Sequence, residues 1–206
     1  EESHANYSIK YLYSLINSGN LNEAFNYSRK LDKQNLDSFE SNLIIGVFYL
    51  KNSNLELAKK YFLKAKNKDS KFLLNNYVSS SLYNWSSLKS EDINYAIQEL
   101  KKLDKRFENL KKIQNVFLNC YFNNFNTNKL FIELISNRKT DFSRYNYFHA
   151  SYNVSFGKIA EAKNIVKLAL EIYPRNLILN QYKINLNQLK NIAVSYTHLR
   201  AHETRG

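Results

Sequence analysis

Few residues in this chain could do chemistry, and their surroundings decide what chemistry that would be. The single cysteine, Cys120, has no second thiol with which to form an internal disulfide or a metal cluster. It lies in Val116-Phe117-Leu118-Asn119-Cys120-Tyr121-Phe122, an apolar setting that predicts a buried, inert thiol. Glu91-Asp92 pairs two carboxylates, but at the start of a helical pattern, where negative charge favours the positive end of the helix. His149 stands beside Ala150 at a packing position and reads as a core or interface histidine. His198 and His202 are spaced to put two imidazoles on one helical face, as in a zinc pair. Leu199 occupies the place where the metalloprotease pattern needs a glutamate. Four glycines spread over the chain make no phosphate-cradling loop. The residues predict no catalytic set, no metal and no cofactor.

The bulk composition limits what can position these residues. The chain has 206 residues, 44% of them hydrophobic and 23% charged, as in an ordinary folded protein. Glycine (4) and proline (1) are scarce. All-β folds need many tight turns and βαβ units need glycine in their loops, so this scarcity favours helices joined by short polar turns. The longest apolar run, residues 43–50, is far shorter than the ~20 residues of a membrane span. The net charge is +12. Its lysines are scattered rather than focused, and about thirty asparagines accompany them, which suggests an AT-rich coding sequence more than a polyanion site.

A repeat of about 34 residues organises the chain. Asn42-x2-Ile45-Gly46-x2-Tyr49, followed by Ala58-x3-Phe62-x2-Ala65, alternates small and large positions so that two antiparallel helices approach closely. Gly46 and Ala58 are the small residues at the contact, with Tyr49 and Phe62 beside it. Ala24 stands one period before Ala58, and Ser80 and Tyr83 one period after Gly46 and Tyr49. Ala96 comes four residues late, which places an insertion near Ser86–Ser90. A fourth unit, around Leu118, Tyr121, Leu130, Phe131 and Leu134, is weak. The fifth is clear again, from Ala150 through Gly157-Lys158-Ile159-Ala160-Glu161-Ala162 to Pro174. The pattern predicts helix pairs at 5–33, 38–67, 71–103, 108–137 and 142–172, and a further helix at 176–190. Asp37-Ser38, Asp69-Ser70 and Asp141-Phe142-Ser143 suit helix starts.

On these residues the chain, from residue 5 to about 190, resembles bacterial tetratricopeptide repeat proteins. Ser18-Gly19-Asn20 through Ala65, with Tyr147-Phe148-His149-Ala150 before Gly157, is similar to a divergent alphaproteobacterial family of longer proteins. The resemblance implies an all-α, right-handed superhelical solenoid of antiparallel helix pairs, about five and a half units over residues 1–190. It also implies a non-catalytic scaffold that binds a peptide or partner helix in its concave groove. In such proteins the first helix of each pair lines the groove. Carried onto this chain, that register gives Ile9, Tyr13 and Ile16; Leu43, Val47 and Leu50; Tyr77, Ser81, Asn84 and Trp85; and Arg144, Tyr147 and Ser151. Tyr13, Leu50, Tyr77, Asn84, Trp85, Arg144, Tyr147 and Ser151 are the candidate partner-binding residues. Chaperone-binding relatives grip a terminal carboxylate with lysine and asparagine, where this chain has Ile9/Tyr13, Leu43/Val47 and Tyr77/Ser81. A peptide's carboxylate is therefore not the expected ligand.

Two alternatives accompany this reading. One is a nucleic-acid-binding helical repeat that uses its lysines and stacks bases on tyrosine. The other is the interaction arm of a larger enzyme or envelope-assembly protein. The compartment stays open between bacterial cytoplasm and periplasm. Residue 1 is not methionine, so it is expected to be a processing point or an edge of a longer frame. Residues 191–206 lie outside the repeat pattern. From Val194 on they contain no lysine or asparagine and resemble the translation of a sequencing adapter, so they are expected to be an artefactual or disordered tail.

Overall fold

The structure, a computed structural model, describes residues 2–68, 72–89, 92–137 and 142–188. The Asp69-Ser70 helix start, Glu91, Asp141 and the 191–206 tail with His198 and His202 lie outside the described residues. Helices account for nearly all of the rest, and no strand occurs among the described residues. They are α1 (Glu2–Asn17), α2 (Leu21–Lys33), α3 (Phe39–Lys51), α4 (Leu55–Lys68), α5 (Leu73–Ser87) and α6 (Ile93–Lys101). After a 3-10 turn, Lys105–Phe107, come α7 (Glu108–Tyr121), α8 (Thr127–Ser136), α9 (Ser143–Ser155), α10 (Ile159–Ile172) and α11 (Leu177–Gln188). Each helix lies within the span that the apolar periodicity predicts, apart from α1, which starts three residues earlier, and α4, which ends one residue later. No described helix is long and apolar enough to cross a membrane.

The helix ends follow from local chemistry. Ser38 caps α3: its Oγ accepts from the Ser41 amide at 3.2 Å, and its own amide donates to Ser41 Oγ at 2.8 Å. Asp92 caps α6 by accepting from the Tyr95 amide at 2.8 Å. Pro174 sits in the turn that separates α10 from α11.

The turns inside four of the pairs repeat one geometry. Gly19, Ser53, Asn123 and Gly157 all have positive φ, at 77°, 58°, 51° and 74°. After each, the next amide reaches back five residues to a helix carbonyl, from Asn20 to Leu15, Asn54 to Tyr49, Asn124 to Asn119 and Lys158 to Asn153, every time at 2.9 Å. This is the left-handed stop that satisfies the last carbonyls of a helix. Gly19 and Ser53 are 34 residues apart, and so are Asn123 and Gly157.

The four-residue insertion is divided between a helix and a turn. Relative to α3, α5 runs two residues longer, and five residues rather than three separate it from the next helix. Ser86 and Ser87 both bond back to the Tyr83 carbonyl, at 2.8 and 2.9 Å, which satisfies their buried hydroxyls within the added half-turn.

The chain forms two compact units, one through Leu118 and one from Asn119. In the first, Leu12, Leu15, Ala24 and Leu31 form a core that Tyr11, Tyr27 and Ile44 pack against. Gly46 lies under the ring of Phe62, where an added Cβ would stand 2.5 Å from the ring. Tyr49 stacks on Tyr61, the neighbour of Phe62 on α4, at 5.9 Å and meets Phe25 edge-on at 5.6 Å. In the second unit Ala150, Val154, Ala162, Val166 and Leu186 form the core. The alanines at the repeat's small position, Ala24, Ala58, Ala96 and Ala162, are all fully buried.

Polar groups tie α2 to α4. Asp32 accepts from Tyr61 Oη and Lys64 Nζ, both at 2.7 Å. Burial together with the hydrogen bond to Asp32 pushes the Tyr61 phenol up to about 12. Asn42, where large apolar residues are usual, is fully buried and donates to Asp37 Oδ2 at 2.7 Å and the Ser38 carbonyl at 2.9 Å, bracing the start of α3.

Candidate partner-binding site

The register residues of α1, α3, α5 and α9 recur about four apart along the first helix of their pairs. In the first unit this stripe brings Leu43 and Val47 of α3 against Leu12, Tyr13 and Ile16 of α1, around a cavity of about 480 Å³. Leu21, Phe39, Ile44 and Phe48 add to its apolar lining, and Asn22 and Asn52 line it as well. Glu40 and Lys51 are its only charged lining residues. Tyr13 is 55% exposed and Val47 46%, so the mouth opens to solvent. Apolar side chains left open around a concavity are available to cover a partner's apolar anchor.

One period along, the same stripe is closed by packing. Tyr77, Ser81 and Trp85 of α5 converge on Gln114 of α7. Gln114 Nε2 donates to Tyr77 Oη at 2.7 Å and Ser81 Oγ at 2.9 Å, while its Oε1 accepts from Trp85 Nε1 at 3.1 Å. The Tyr77 ring also lies 4.5 Å from that of Phe107. Tyr77 and Trp85 are half-buried, Ser81 is buried, and their polar ends bond within the repeat stack. The sequence pattern does not single out Gln114, because its role is set by three residues 29 to 37 positions away.

Asn84 requires a correction. It is 2% exposed, and its Nδ2 donates to the Ala96 carbonyl of α6 at 2.9 Å. Ser80 is the register equivalent of Gly46, so a residue four further on lies on the pair-packing face and not on the groove stripe. Leu50, its equivalent one period earlier, is half-buried and outside the lining of the cavity.

In the second unit Tyr147 meets Tyr182 of α11 edge-on at 4.8 Å, and Ser151 is half-buried. Arg144 is exposed, with its guanidinium over the rings of Phe142 and Tyr145 at 5.4 and 5.7 Å. The cation–π contacts hold Arg144 along its own helix start.

The residues weighed for chemistry have structural surroundings. His149 is 2% exposed, stacks on Phe131 with centroids 5.1 Å apart, and places Nε2 2.7 Å from Asn128 Oδ1. Burial lowers its pKa to about 4. The Cys120 thiol is half-buried, and burial pushes its pKa up, which leaves little thiolate at neutral pH. Among the described residues no three His, Cys, Asp or Glu side chains converge as a metal set.

No protein-family model matches the chain, and no curated protein matches it in sequence. Solved structures do match in fold. A thermophilic tetratricopeptide repeat protein of Thermus thermophilus superposes with a TM-score of 0.60 at 16% identity, over 90% of this chain and 100% of that one. A tetratricopeptide repeat protein of Parabacteroides merdae gives 0.60 at 14% identity, over 90% of this chain and 73% of that one. The helix pairs, the 34-residue turn spacing and these likenesses give the chain the tetratricopeptide-type, all-α helical-repeat fold.

Proposed function

We propose that this protein is a non-catalytic interaction scaffold, and that its first unit takes an apolar anchor of a partner peptide or helix between α1 and α3. The observation that carries this reading is the open apolar cavity on Tyr13, Ile16, Leu43 and Val47. Its volume of about 480 Å³ is large enough for one or two apolar side chains presented along a helix or strand. With one carboxylate and one ammonium at the rim, the recognition is mainly apolar, and the rim charges orient the partner more than they hold it. Tyr77, Trp85 and Tyr147 serve chiefly as inter-repeat packing in this proposal, so the groove assignment is narrowed to the α1–α3 cavity.

The test is a display selection of peptides on the intact chain, followed by affinity measurement on wild type and Val47→Lys. Val47 is exposed, so the lysine is accommodated without unfolding, which circular dichroism verifies. Selected peptides rich in aromatic or aliphatic anchors should lose at least about tenfold in affinity. Equal binding to the variant rejects the cavity as the site.

A further inference from the structure

The second unit carries a smaller cavity of about 280 Å³ between α10 and α11. Its floor is Val166 and Leu186, each 1% exposed, and its rim holds Lys163, Lys167 and Lys183. Lys163 and Lys167 are four residues apart on α10 and so share one side of it, and Lys183 comes from α11. Among the described residues none of the three ammonium groups makes a hydrogen bond, ion pair or ring contact, although Glu171 stands four residues beyond Lys167. Some lysines elsewhere are matched with carboxylates, such as Lys64 with Asp32 at 2.7 Å and Lys68 with Asp37 at 3.2 Å; here three unmatched ones share one opening. Three unmatched like charges around one apolar opening repel one another, and an arriving anion relieves that repulsion.

The lining narrows the choice of ligand. The cavity falls just below the ~300 Å³ at which whole small-molecule sites begin, so it suits a single side chain. No aromatic residue lines it, so it offers no platform for stacking a base. We propose that this cavity docks an acidic segment of a partner protein. One aliphatic side chain rests on Val166 and Leu186, and flanking glutamates or aspartates meet Lys163, Lys167 and Lys183. This site is separate from the α1–α3 cavity and does not depend on it.

The test titrates the full chain with a fluorescein-labelled peptide carrying one leucine flanked on both sides by glutamates, followed by anisotropy at low salt. Saturable binding is expected. Replacing all three lysines by glutamine should weaken it at least about tenfold, as should raising the salt to ~0.5 M. Glutamine at Lys10, Lys33 and Lys60 of the first unit should leave it unchanged, as should Val47→Lys. Serine in place of the peptide's leucine should weaken binding severalfold. If the triple variant fails to fold, the single exposed change Lys183→Gln carries the test, with a loss of about threefold expected. The proposal is overturned by absence of binding, by binding indifferent to these lysines, or by a leucine-free peptide binding equally well. It is overturned equally if phosphatidylglycerol vesicles or single-stranded RNA, and not the peptide, bind in dependence on the three lysines.

Discussion

The ring of Phe62 lies directly over Gly46, with Cε1 and Cδ1 only 2.5 and 2.6 Å from where a Cβ would be. Both residues belong to the contact that brings α3 and α4 together, and Phe62 is fully buried. Alanine at 46 would gain about 1 kcal/mol of helix propensity. It would also force the ring off its rotamer in a close-packed core, at a cost of about 1–3 kcal/mol. Gly46→Ala is therefore expected to be net destabilising, by up to about 2 kcal/mol. Phe62→Leu costs stability alone, but the double variant should be more stable than the sum of the two predicts. A double-mutant cycle in urea yielding no coupling would refute the direct contact.

The recurring left-handed turn gives a prediction of opposite sign. Ser53 holds φ at 58° in the turn where Gly19 and Gly157 serve the equivalent role. A side chain there strains the backbone, and the glycine variant trades that strain against a more flexible unfolded chain. Ser53→Gly should raise stability by about 0.5–1 kcal/mol, and Gly157→Ser should lower it by a similar amount. Thermal melts of the two variants check both signs, and a destabilised Ser53→Gly would contradict the role given to this turn.

These turns also show what was legible in the sequence. Gly19 and Gly157 announced their pairs because glycine is the usual residue at positive φ. Asn123 does the same work for the fourth pair, 34 residues before Gly157. Asparagine is abundant in this chain, so its identity carried no signal, and the unit read as weak. The alanines at the small position were legible for a related reason: a larger side chain would hold the two helices apart there. The groove stripe was only partly legible. Spacing could name Leu43/Val47 and Tyr77/Ser81 as equivalents, but not that the first pair stays open while Gln114 closes the second. That difference depends on a residue from another helix, which a one-dimensional pattern does not reveal.

Gln114 should accordingly behave as a structural staple. Its amide joins Tyr77, Ser81 and Trp85, so Gln114→Leu leaves those polar groups without that partner. The expected cost is about 1–3 kcal/mol. Trp85 is the chain's one tryptophan, so its fluorescence reports directly on this cluster. A red-shifted, more quenchable emission is expected in the variant, and an unchanged spectrum with unchanged stability would show that the cluster is dispensable.

His149 gives the second unit a defined response to acid. Its Nε2 lies 2.7 Å from Asn128 Oδ1, and its buried Nδ1 has no hydrogen-bond partner. The neutral tautomer with the proton on Nε2 satisfies this geometry, whereas a proton on Nδ1 would place a charge in a site that offers it no acceptor. Burial thus lowers the folded pKa to about 4, from 6.5 for the free side chain. Between these two values the unfolded chain binds the extra proton and the folded chain does not, so stability falls as pH drops. The loss begins near pH 6.5, approaches about 3 kcal/mol by pH 4 and then levels off. The imidazole resonances of His149 should show no titration at pH 6, and amide exchange in α9 should quicken between pH 6.5 and 5 relative to a His149→Gln variant. An imidazole that titrates near 6.5 would show that the ring is hydrated and that its stacking on Phe131 does not exclude solvent.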